Sequence, residues 1–323
     1  MPMRRVAVGA LVFLAVSVVG CTGGRDPWAD RAGPRVLAYF PPIYSFAASV
    51  AGEDAQVKSL ITHIGPHHFE PTTQDALALK RTDLFLTVGL GLDDSVAQKL
   101  AQSSNNPKLK LVALGSLIPK DSLHEGGCNC HGHHHDASHQ HDQVEYDPHV
   151  WLGIPEAQRM IDGIRNELAG IDSSHAEGYK TRAAAMHERL DKLLGDGKAM
   201  LSAKSEKPRL ISFHDSLFYF ARSFGIEVVD TIDLPGQDPS AKRLKELVDK
   251  CKEQNVRIIA VEPQYASRND SARTIMKELK RSGIDAVFVE IDPLETADSE
   301  DMRPDFYERK MRANLQNLAS VLK

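Results

Sequence analysis

Residues 124–142 concentrate side chains that bind metal ions, because they hold seven of the fourteen histidines and two of the four cysteines of the chain. Imidazole and thiolate are preferred ligands of Zn²⁺. Between them stand mostly glycine and acidic residues with no apolar period, a composition that cannot form a core. We expect several weak zinc sites here, with an inert polar insertion as the alternative. The candidate ligands are His124, Cys128, Cys130, His131, His133, His134, His135, His139 and His141.

A second set of possible ligands is spread along the chain, close to predicted strand ends or in turns marked by proline. One candidate is the first of the two histidines in the turn GPHHFEP, one lies in EYDPHVWL and one follows LISF, while an aspartate follows AVFVEI. Ligands of open α/β sheets bind beyond the carboxyl ends of the strands. If two lobes face each other, three imidazoles and one carboxylate converge in the cleft, a donor set that suits tetrahedral Zn²⁺. These residues are His67, His149, His214 and Asp292, with His63 and His68 as alternatives to His67.

The elements that must position these residues alternate between strands and helices. Short apolar runs that end in turn residues predict strands, and helical patterns separate most of them. Such alternation predicts mostly parallel sheets that are covered by helices. The predicted strands are 36–40, 57–62, 84–88 and 109–114 in the first half, and 210–213, 227–232, 257–261 and 286–291 in the second.

A long segment of helix-forming residues lies between the two sets of strands. A helix over about 174–201 would be roughly 40 Å long, enough to connect two lobes. The sequence therefore predicts an α/β fold with two Rossmann-like lobes joined by one long rigid helix. We place the N-terminal lobe at 35–172, the linking helix at 173–203 and the C-terminal lobe at 204–323.

The N-terminus has the pattern of a bacterial secretory signal. Two arginines precede an apolar run from Val6 to Gly20, which is short for a membrane-spanning helix of roughly 20 residues. The run ends in VVGC, which resembles the lipobox of bacterial lipoproteins. We expect a signal peptide over 1–20, a lipidated Cys21 and a tether over 21–34, with an ordinary secretory signal as the alternative. A lipid anchor would hold the protein on the extracytoplasmic side of a bacterial membrane, in the periplasm or at the cell surface.

The net charge and the other cysteines limit the possible ligands and cysteine roles. The net charge is −5 and no stripe of basic residues occurs, so nothing indicates binding to nucleic acid. Cys251 falls in a helical pattern and is expected to be a packed thiol. Cys128 and Cys130 are too close in sequence for a relaxed disulfide, which favours their use as metal ligands.

Five motifs stand in an order that resembles one protein family. They are PHHFEPT (66–72), DPHVWL (147–152), SFHDSLFYFA (212–221), EPQ (262–264) and EIDPLE (290–295). They are similar to motifs of the cluster A-I solute-binding proteins, the receptors and lipoproteins of ABC transporters for zinc and manganese. The resemblance implies that His67, His149 and His214 are ligands, and that Asp292, a neighbouring carboxylate or water completes the coordination. It also implies two α/β lobes joined by one rigid helix.

The resemblance implies a receptor that captures Zn²⁺ as a transported ligand. The receptor would deliver the ion to a membrane permease and its ATPase, and we expect it to be monomeric. A third imidazole at His214, where manganese receptors carry a carboxylate, favours zinc. The zinc members also tend to carry a histidine-rich insertion between the first two ligands, as this chain does at residues 124–142. The alternatives are a manganese or iron receptor, and a zinc-binding adhesin or zinc buffer on the same fold.

Two further expectations come from comparing the sequence with zinc hydrolases and with zinc receptors of the same family. A zinc hydrolase would need a cluster such as HExxH with a general base, which the sequence lacks, so we expect no enzyme. Zinc receptors of the family often carry a disulfide in the second lobe. Cys251 has no evident partner in this chain, so we predict no disulfide there.

Overall fold

The computed structural model describes Trp28 and residues 31–126, 144–232, 240–263 and 270–323. The predicted signal peptide, Cys21 and the histidine-rich residues after Gly126 lie outside these ranges. None of the helices in the described part of the chain is both long enough and apolar enough to cross a bilayer.

The first sheet has four parallel strands in the order β2-β1-β3-β4. Its central strands β1 and β3 consist mainly of buried apolar residues, as expected for parallel strands that are covered on both faces. Helices α1 (Pro41–Ala51), α2 (Thr73–Leu79) and α3 (Asp94–Ser103) connect the strands. The strands are β1 (Arg35–Ala38), β2 (Gln56–Ser59), β3 (Leu84–Thr87) and β4 (Lys110–Ala113).

The second sheet repeats this arrangement, with four parallel strands in the order β6-β5-β7-β8. Its connecting helices are α6 (Phe218–Phe224), α7 (Ala241–Glu253) and α8 (Asp270–Arg281). The prediction of two α/β lobes with parallel sheets is confirmed. The strands are β5 (Arg209–Ser212), β6 (Glu227–Thr231), β7 (Ile258–Val261) and β8 (Val287–Glu290).

Two long helices, α4 (Ile154–Ile171) and α5 (Ala176–Ser202), lie between the sheets in the sequence. The 27 residues of α5 give it a length of about 40 Å. Its Arg182 donates a 2.7 Å hydrogen bond to the carbonyl of Val50 in the first lobe. Its Arg189 pairs with Glu308 at 2.9 Å, on the C-terminal helix α9 (Phe306–Val321). Helix α5 therefore contacts both lobes, while the lobe boundaries at 172/173 and 203/204 stay a prediction.

The two lobes share one hydrophobic core. The larger cluster of buried side chains extends from Trp28 to Leu322 after α9, and a smaller cluster lies between the second sheet and helices α7 and α8. Tyr307 of α9 is fully buried, and its hydroxyl donates to the carbonyl of Trp151 at 2.7 Å. The C-terminal helix thus packs against the first lobe, so the lobes are not separated by a thin hinge.

Candidate metal centre

Four side chains converge in the cleft, two from each lobe. They are His67, His149, His214 and Glu295, and their ligating atoms all lie within 4.8 Å of one another. Nε2 of His67 lies 3.2 Å from Nε2 of His149 and 3.2 Å from Oε1 of Glu295. Three imidazoles and one carboxylate form the donor set of a closed tetrahedral Zn²⁺ site.

His67 lies in a single 3₁₀ turn, Pro66–His68, that follows β2. Pro66 stands at the start of this turn, where its fixed φ angle suits the backbone and its missing N–H costs no hydrogen bond. The His67 side chain is only 4% exposed, whereas His63 and His68 are exposed. Among the three histidines of this segment, the structure brings His67 into the cluster.

Gly65 leaves the space that the carboxylate of Glu295 occupies. A Cβ atom at this position would lie 3.0 Å from Oε2 of Glu295, closer than nearly all real Cβ contacts. With a larger residue at position 65, the Glu295 carboxylate would have to shift by a few tenths of an ångström.

His149 is held by Asp147, two residues earlier in the same turn. Oδ1 of Asp147 accepts from the backbone N–H of His149 at 2.9 Å and from its ring Nδ1 at 2.8 Å. Because Nδ1 is used in this way, Nε2 is the nitrogen that faces the other ligands. Tyr219 of α6 supports the turn, since its hydroxyl donates to the carbonyl of Asp147 at 3.1 Å.

His214 stands two residues beyond β5, at the carboxyl end of the second sheet. Its carbonyl accepts from the hydroxyl of Ser212 at 2.6 Å and from the N–H of Ser216 at 3.0 Å, which fixes the backbone at this point. The ring lies 5.6 Å from the ring of His67 and 5.3 Å from the ring of His149. The edge predicted to carry ligands thus brings this imidazole to the cluster.

The electrostatics of the group favour a bound cation. Burial, together with the nearby charge of His149, lowers the pKa of His214 to about 3. Burial alone would lower the pKa of His149, but hydrogen bonds to Asp147 and Glu295 raise it to about 10. Burial would raise the pKa of Glu295, yet hydrogen bonds from His149 and His67 hold it well below its usual range. The carboxylate is therefore charged, and a metal ion that binds here would have to displace the proton that His149 holds because of its raised pKa.

The sequence predicted Asp292, a neighbouring carboxylate or water as the fourth ligand; in the structure Asp292 lies outside this group, and the neighbouring carboxylate of Glu295 lies within it. Oδ1 of Asp292 accepts from the backbone N–H of Leu294 at 2.7 Å, and Oδ2 lies 3.3 Å from Nζ of Lys310. Its backbone is held by Asn314 through two hydrogen bonds. These contacts direct the Asp292 carboxylate toward its own turn and α9, and Glu295 supplies the carboxylate of the cluster.

Of the nine candidate weak-site ligands, only His124 lies in the described residues. Its ring stacks on Phe218 of α6 with centroids 3.6 Å apart and planes 7° from parallel. Its backbone N–H donates to the hydroxyl of Tyr219 at 3.0 Å. Glu125 forms a bridge with Tyr146, so residues 124–126 and 144–147 pair at the base of the histidine-rich segment.

Two residues of the site were not singled out from the sequence. Asp147 precedes His149 in DPHVWL, and Glu295 ends the motif EIDPLE. An acidic residue two positions before a ligating histidine is a recognisable signal for a supporting hydrogen bond. The motif EIDPLE contains three carboxylates, and which of them faces the other ligands depends on the backbone of the turn.

Comparisons with known proteins show which family the chain resembles. A sequence model described as "ZnuA: Zinc-uptake complex component A periplasmic" matches residues 36–321. The curated zinc-binding protein AdcA of Streptococcus pyogenes serotype M3 is 28% identical over 295 residues, which cover 88% of this chain and 55% of that relative. The chain thus spans about half the length of the first curated relatives that it matches.

Solved structures show the same fold. A crystal structure of ZnuA is 26% identical with a TM-score of 0.72, over 90% of this chain and 100% of that one. The structure of Zn(II)-bound AdcA from Streptococcus pneumoniae is 26% identical with a TM-score of 0.69, over 90% of this chain and 57% of that one. Because the sequence model of the family matches most of the chain, the protein belongs to the family of the periplasmic zinc-uptake complex component A.

Proposed function

We propose that the protein is an extracytoplasmic receptor that binds one Zn²⁺ in the cleft and delivers it to an ABC permease. One observation carries this proposal, the convergence of the ligating atoms of three imidazoles and one carboxylate within 4.8 Å. The ligands are His67, His149, His214 and Glu295. The names of the matched family and relatives, which refer to zinc uptake and zinc binding, support the same ion.

Zinc is favoured over manganese by the donor set. Imidazole suits zinc, whereas manganese is better served by carboxylate, carbonyl and water oxygens. The His67, His149 and His214 rings supply three nitrogens against the single carboxylate of Glu295. A harder ion such as Mn²⁺ would lose most of the oxygen ligands that it prefers.

A closed coordination sphere also favours a receptor over a hydrolase. Catalytic zinc sites hold three protein ligands and keep the fourth position for water or substrate. Here Oε1 of Glu295 lies 3.2 Å from Nε2 of His67 and 3.6 Å from Nε2 of His149, within the group of imidazoles. With this carboxylate bound, all four tetrahedral positions are taken by the protein.

Titration of the purified protein against a competing zinc chelator tests the metal site. His149→Ala and His214→Ala are each expected to weaken the tight zinc site by orders of magnitude, because each removes a ligand. His68→Ala is the matched control, since His68 is exposed and adjacent to a ligand but outside the cluster. Wild-type affinity in His149→Ala, or a preference of the wild type for Mn²⁺, would contradict the proposal.

Delivery to a permease needs a test in cells. A strain that lacks the gene is expected to grow poorly under zinc starvation and to be rescued by the wild type but not by Glu295→Ala. Rescue by excess zinc alone would show that the defect is in uptake. Normal growth of the deletion strain, in the absence of a second receptor gene, would favour a zinc buffer or adhesin.

The proposal includes a lipid anchor at Cys21 and a monomeric receptor. Trp28 is buried against the first lobe, where its Nε1 donates to the carbonyl of Ala78 at 3.0 Å. An extended chain spans at most about 3.6 Å per residue, so the seven steps from Cys21 to Trp28 cover no more than about 25 Å. An anchored protein would therefore stay close to the membrane. Cys21→Ala is expected to move it from the membrane fraction to the soluble fraction.

A further inference from the structure

We infer that Asp292 is a positioning residue, which holds the turn that presents Glu295 to the metal, and that its hydrogen-bond acceptor rather than its charge does so. This inference rests on the proposed function, because it concerns the fourth ligand of the same site. It assigns a role to a carboxylate that lies three residues from the ligand and outside the cluster.

The first observation is the backbone of Leu294. Its φ angle is +66°, in the left-handed region that is unfavourable for a residue with a Cβ atom. The side chain is fully buried, so the strained residue cannot relax outward without losing its packing. Such a conformation persists only where surrounding contacts hold it.

Asp292 supplies the contact that favours this conformation. Its Oδ1 accepts from the backbone N–H of Leu294 at 2.7 Å, which closes an Asx turn over Pro293. Asp and Asn build such turns because their short side chains reach the N–H two residues later. Asn314 of α9 holds the backbone of Asp292. Its Oδ1 accepts from the N–H of Asp292 at 2.9 Å, and its Nδ2 donates to the carbonyl of Asp292 at 2.7 Å.

The same turn is bound to the first lobe on both sides of Glu295. Nε1 of Trp151 donates to the carbonyl of Pro293 at 2.8 Å, and the N–H of Ala297 donates to the carbonyl of Thr62 at 2.8 Å. Trp151 belongs to the motif that carries His149. The turn therefore sets the carboxylate of the second lobe relative to the imidazoles of the first.

The charge of Asp292 has a different partner. Oδ2 faces Lys310, which also lies 3.6 Å from Asp301. If the ion pair were the reason for an acidic residue at this position, any variant that keeps the charge would preserve zinc binding. If the turn is the reason, only a variant that keeps the acceptor at the same distance from the backbone will do so.

Two substitutions in the full-length protein separate these roles. Asp292→Asn keeps the Oδ1 acceptor and loses the charge, and we expect it to retain wild-type zinc affinity. Asp292→Glu keeps the charge but carries it one methylene further from the backbone, and we expect a loss of zinc affinity of about tenfold or more, as for other partners that orient ligands. Circular dichroism and thermal unfolding without zinc establish that each variant is folded.

The readouts are zinc affinity by chelator competition and the visible spectrum of the Co²⁺-loaded protein, which reports the ligand geometry. We expect the cobalt spectrum to change in Asp292→Glu and to stay as in the wild type in Asp292→Asn. Weakened binding in Asp292→Asn, or unchanged binding in Asp292→Glu, would overturn the inference. The wild-type titration separately tests the proposed function, and a wild type without a tight zinc site would overturn both.

Discussion

Oδ1 of Asp147 accepts two hydrogen bonds from one residue, His149, at 2.9 Å from its backbone N–H and 2.8 Å from its ring Nδ1. A carboxylate that holds Nδ1–H fixes the tautomer of the imidazole and raises its basicity as a ligand. We expect Asp147→Ala to weaken zinc binding by about 10–100-fold while the other ligands remain in place.

A matched control for this prediction lies at the other end of α4. Oδ2 of Asp172 pairs with Nδ1 of His175 at 2.7 Å, in the same kind of contact, but neither residue belongs to the cluster. Asp172→Ala should therefore leave zinc affinity unchanged. Equal effects of the two substitutions in a competition titration would show that Asp147 acts on the fold and not on the ligand.

Zinc binding should release a proton at neutral pH. The pKa of His149 is raised to about 10, so this imidazole is protonated at pH 7 and must lose its proton to coordinate zinc. Affinity should consequently fall as the pH falls, by about tenfold per pH unit for each proton displaced. The lowered pKa of His214 means that this ring is already neutral and releases none.

Calorimetry in buffers of different ionisation enthalpy measures the number of protons released per zinc bound. At least one proton per zinc should pass to the buffer at pH 7, and the number should decrease in His149→Ala. A binding enthalpy that is the same in every buffer would show that zinc displaces no proton from His149.

Removing residues 127–143 should leave the tight site intact and abolish any weaker zinc binding. This deletion keeps the base of the segment, including the stacking of His124 on Phe218 and the bridge between Glu125 and Tyr146. The composition of this segment predicts no preformed site, so we expect zinc to be held there more weakly than at the cluster of His67, His149, His214 and Glu295. Calorimetric titration should show one tight event, and loss of that event would place the main site in the segment.

The base of the histidine-rich segment, residues 124–126 and 144–147, should affect the affinity of the tight zinc site more than residues 127–143 do. The Tyr219 hydroxyl accepts from the N–H of His124 and donates to the carbonyl of Asp147, so it joins the base to the residue that orients His149. We expect Tyr219→Phe to weaken the tight site several-fold. Tyr179→Phe is the control, since its hydroxyl donates to Asp172, away from the cluster.

Binding should change the overall dimensions very little. The lobes share one core, and the turn that carries Glu295 is already hydrogen-bonded to the first lobe at Trp151 and Thr62. A wide hinge motion would break these contacts, so we expect a small tilt. Small-angle scattering should give nearly the same radius of gyration with and without zinc. A decrease in the radius of gyration by several ångströms on zinc binding would show that the lobes of the zinc-free protein lie further apart in solution.

Close packing of α5 against the second lobe can be tested at two glycines of that helix. A Cβ at Gly197 would lie 2.7 Å from Leu315 and 2.7 Å from Phe224, whereas a Cβ at Gly195 meets nothing within 4 Å. Gly197→Ala should therefore destabilise the zinc-free protein by about 1–3 kcal/mol through overpacking. Gly195→Ala should stabilise it by up to about 1 kcal/mol, because alanine favours the helix. Thermal unfolding distinguishes the two outcomes.

The residues that could be predicted from sequence are those whose role depends on their own segment. The positions of His67, His149 and His214 follow from short motifs beside predicted elements, and the parallel sheets follow from alternating strands and helices. Glu295 could not be separated from Asp292, because the difference depends on the positive φ of Leu294. A glycine there would have signalled the turn, but a leucine does not.

His124 illustrates a second limit. It precedes a run of histidines and looks like one of them, but its ring packs on Phe218, which lies 94 positions later in the chain. A contact of this kind depends on how two elements meet in space. The residue type alone, in a segment rich in the same residue, gives no information about it.

The hydrogen bond from Trp151 to Pro293 has a practical consequence. The chain has two tryptophans, and the other one, Trp28, lies against the first lobe far along the sequence from the ligands. The indole of Trp151 is centred 5.1 Å from the ring of His149 and is bonded to the turn of Glu295. A Trp28→Phe protein would therefore have a single tryptophan, next to the ligands, and its fluorescence under selective excitation of tryptophan could follow the arrival and release of zinc in real time without a label.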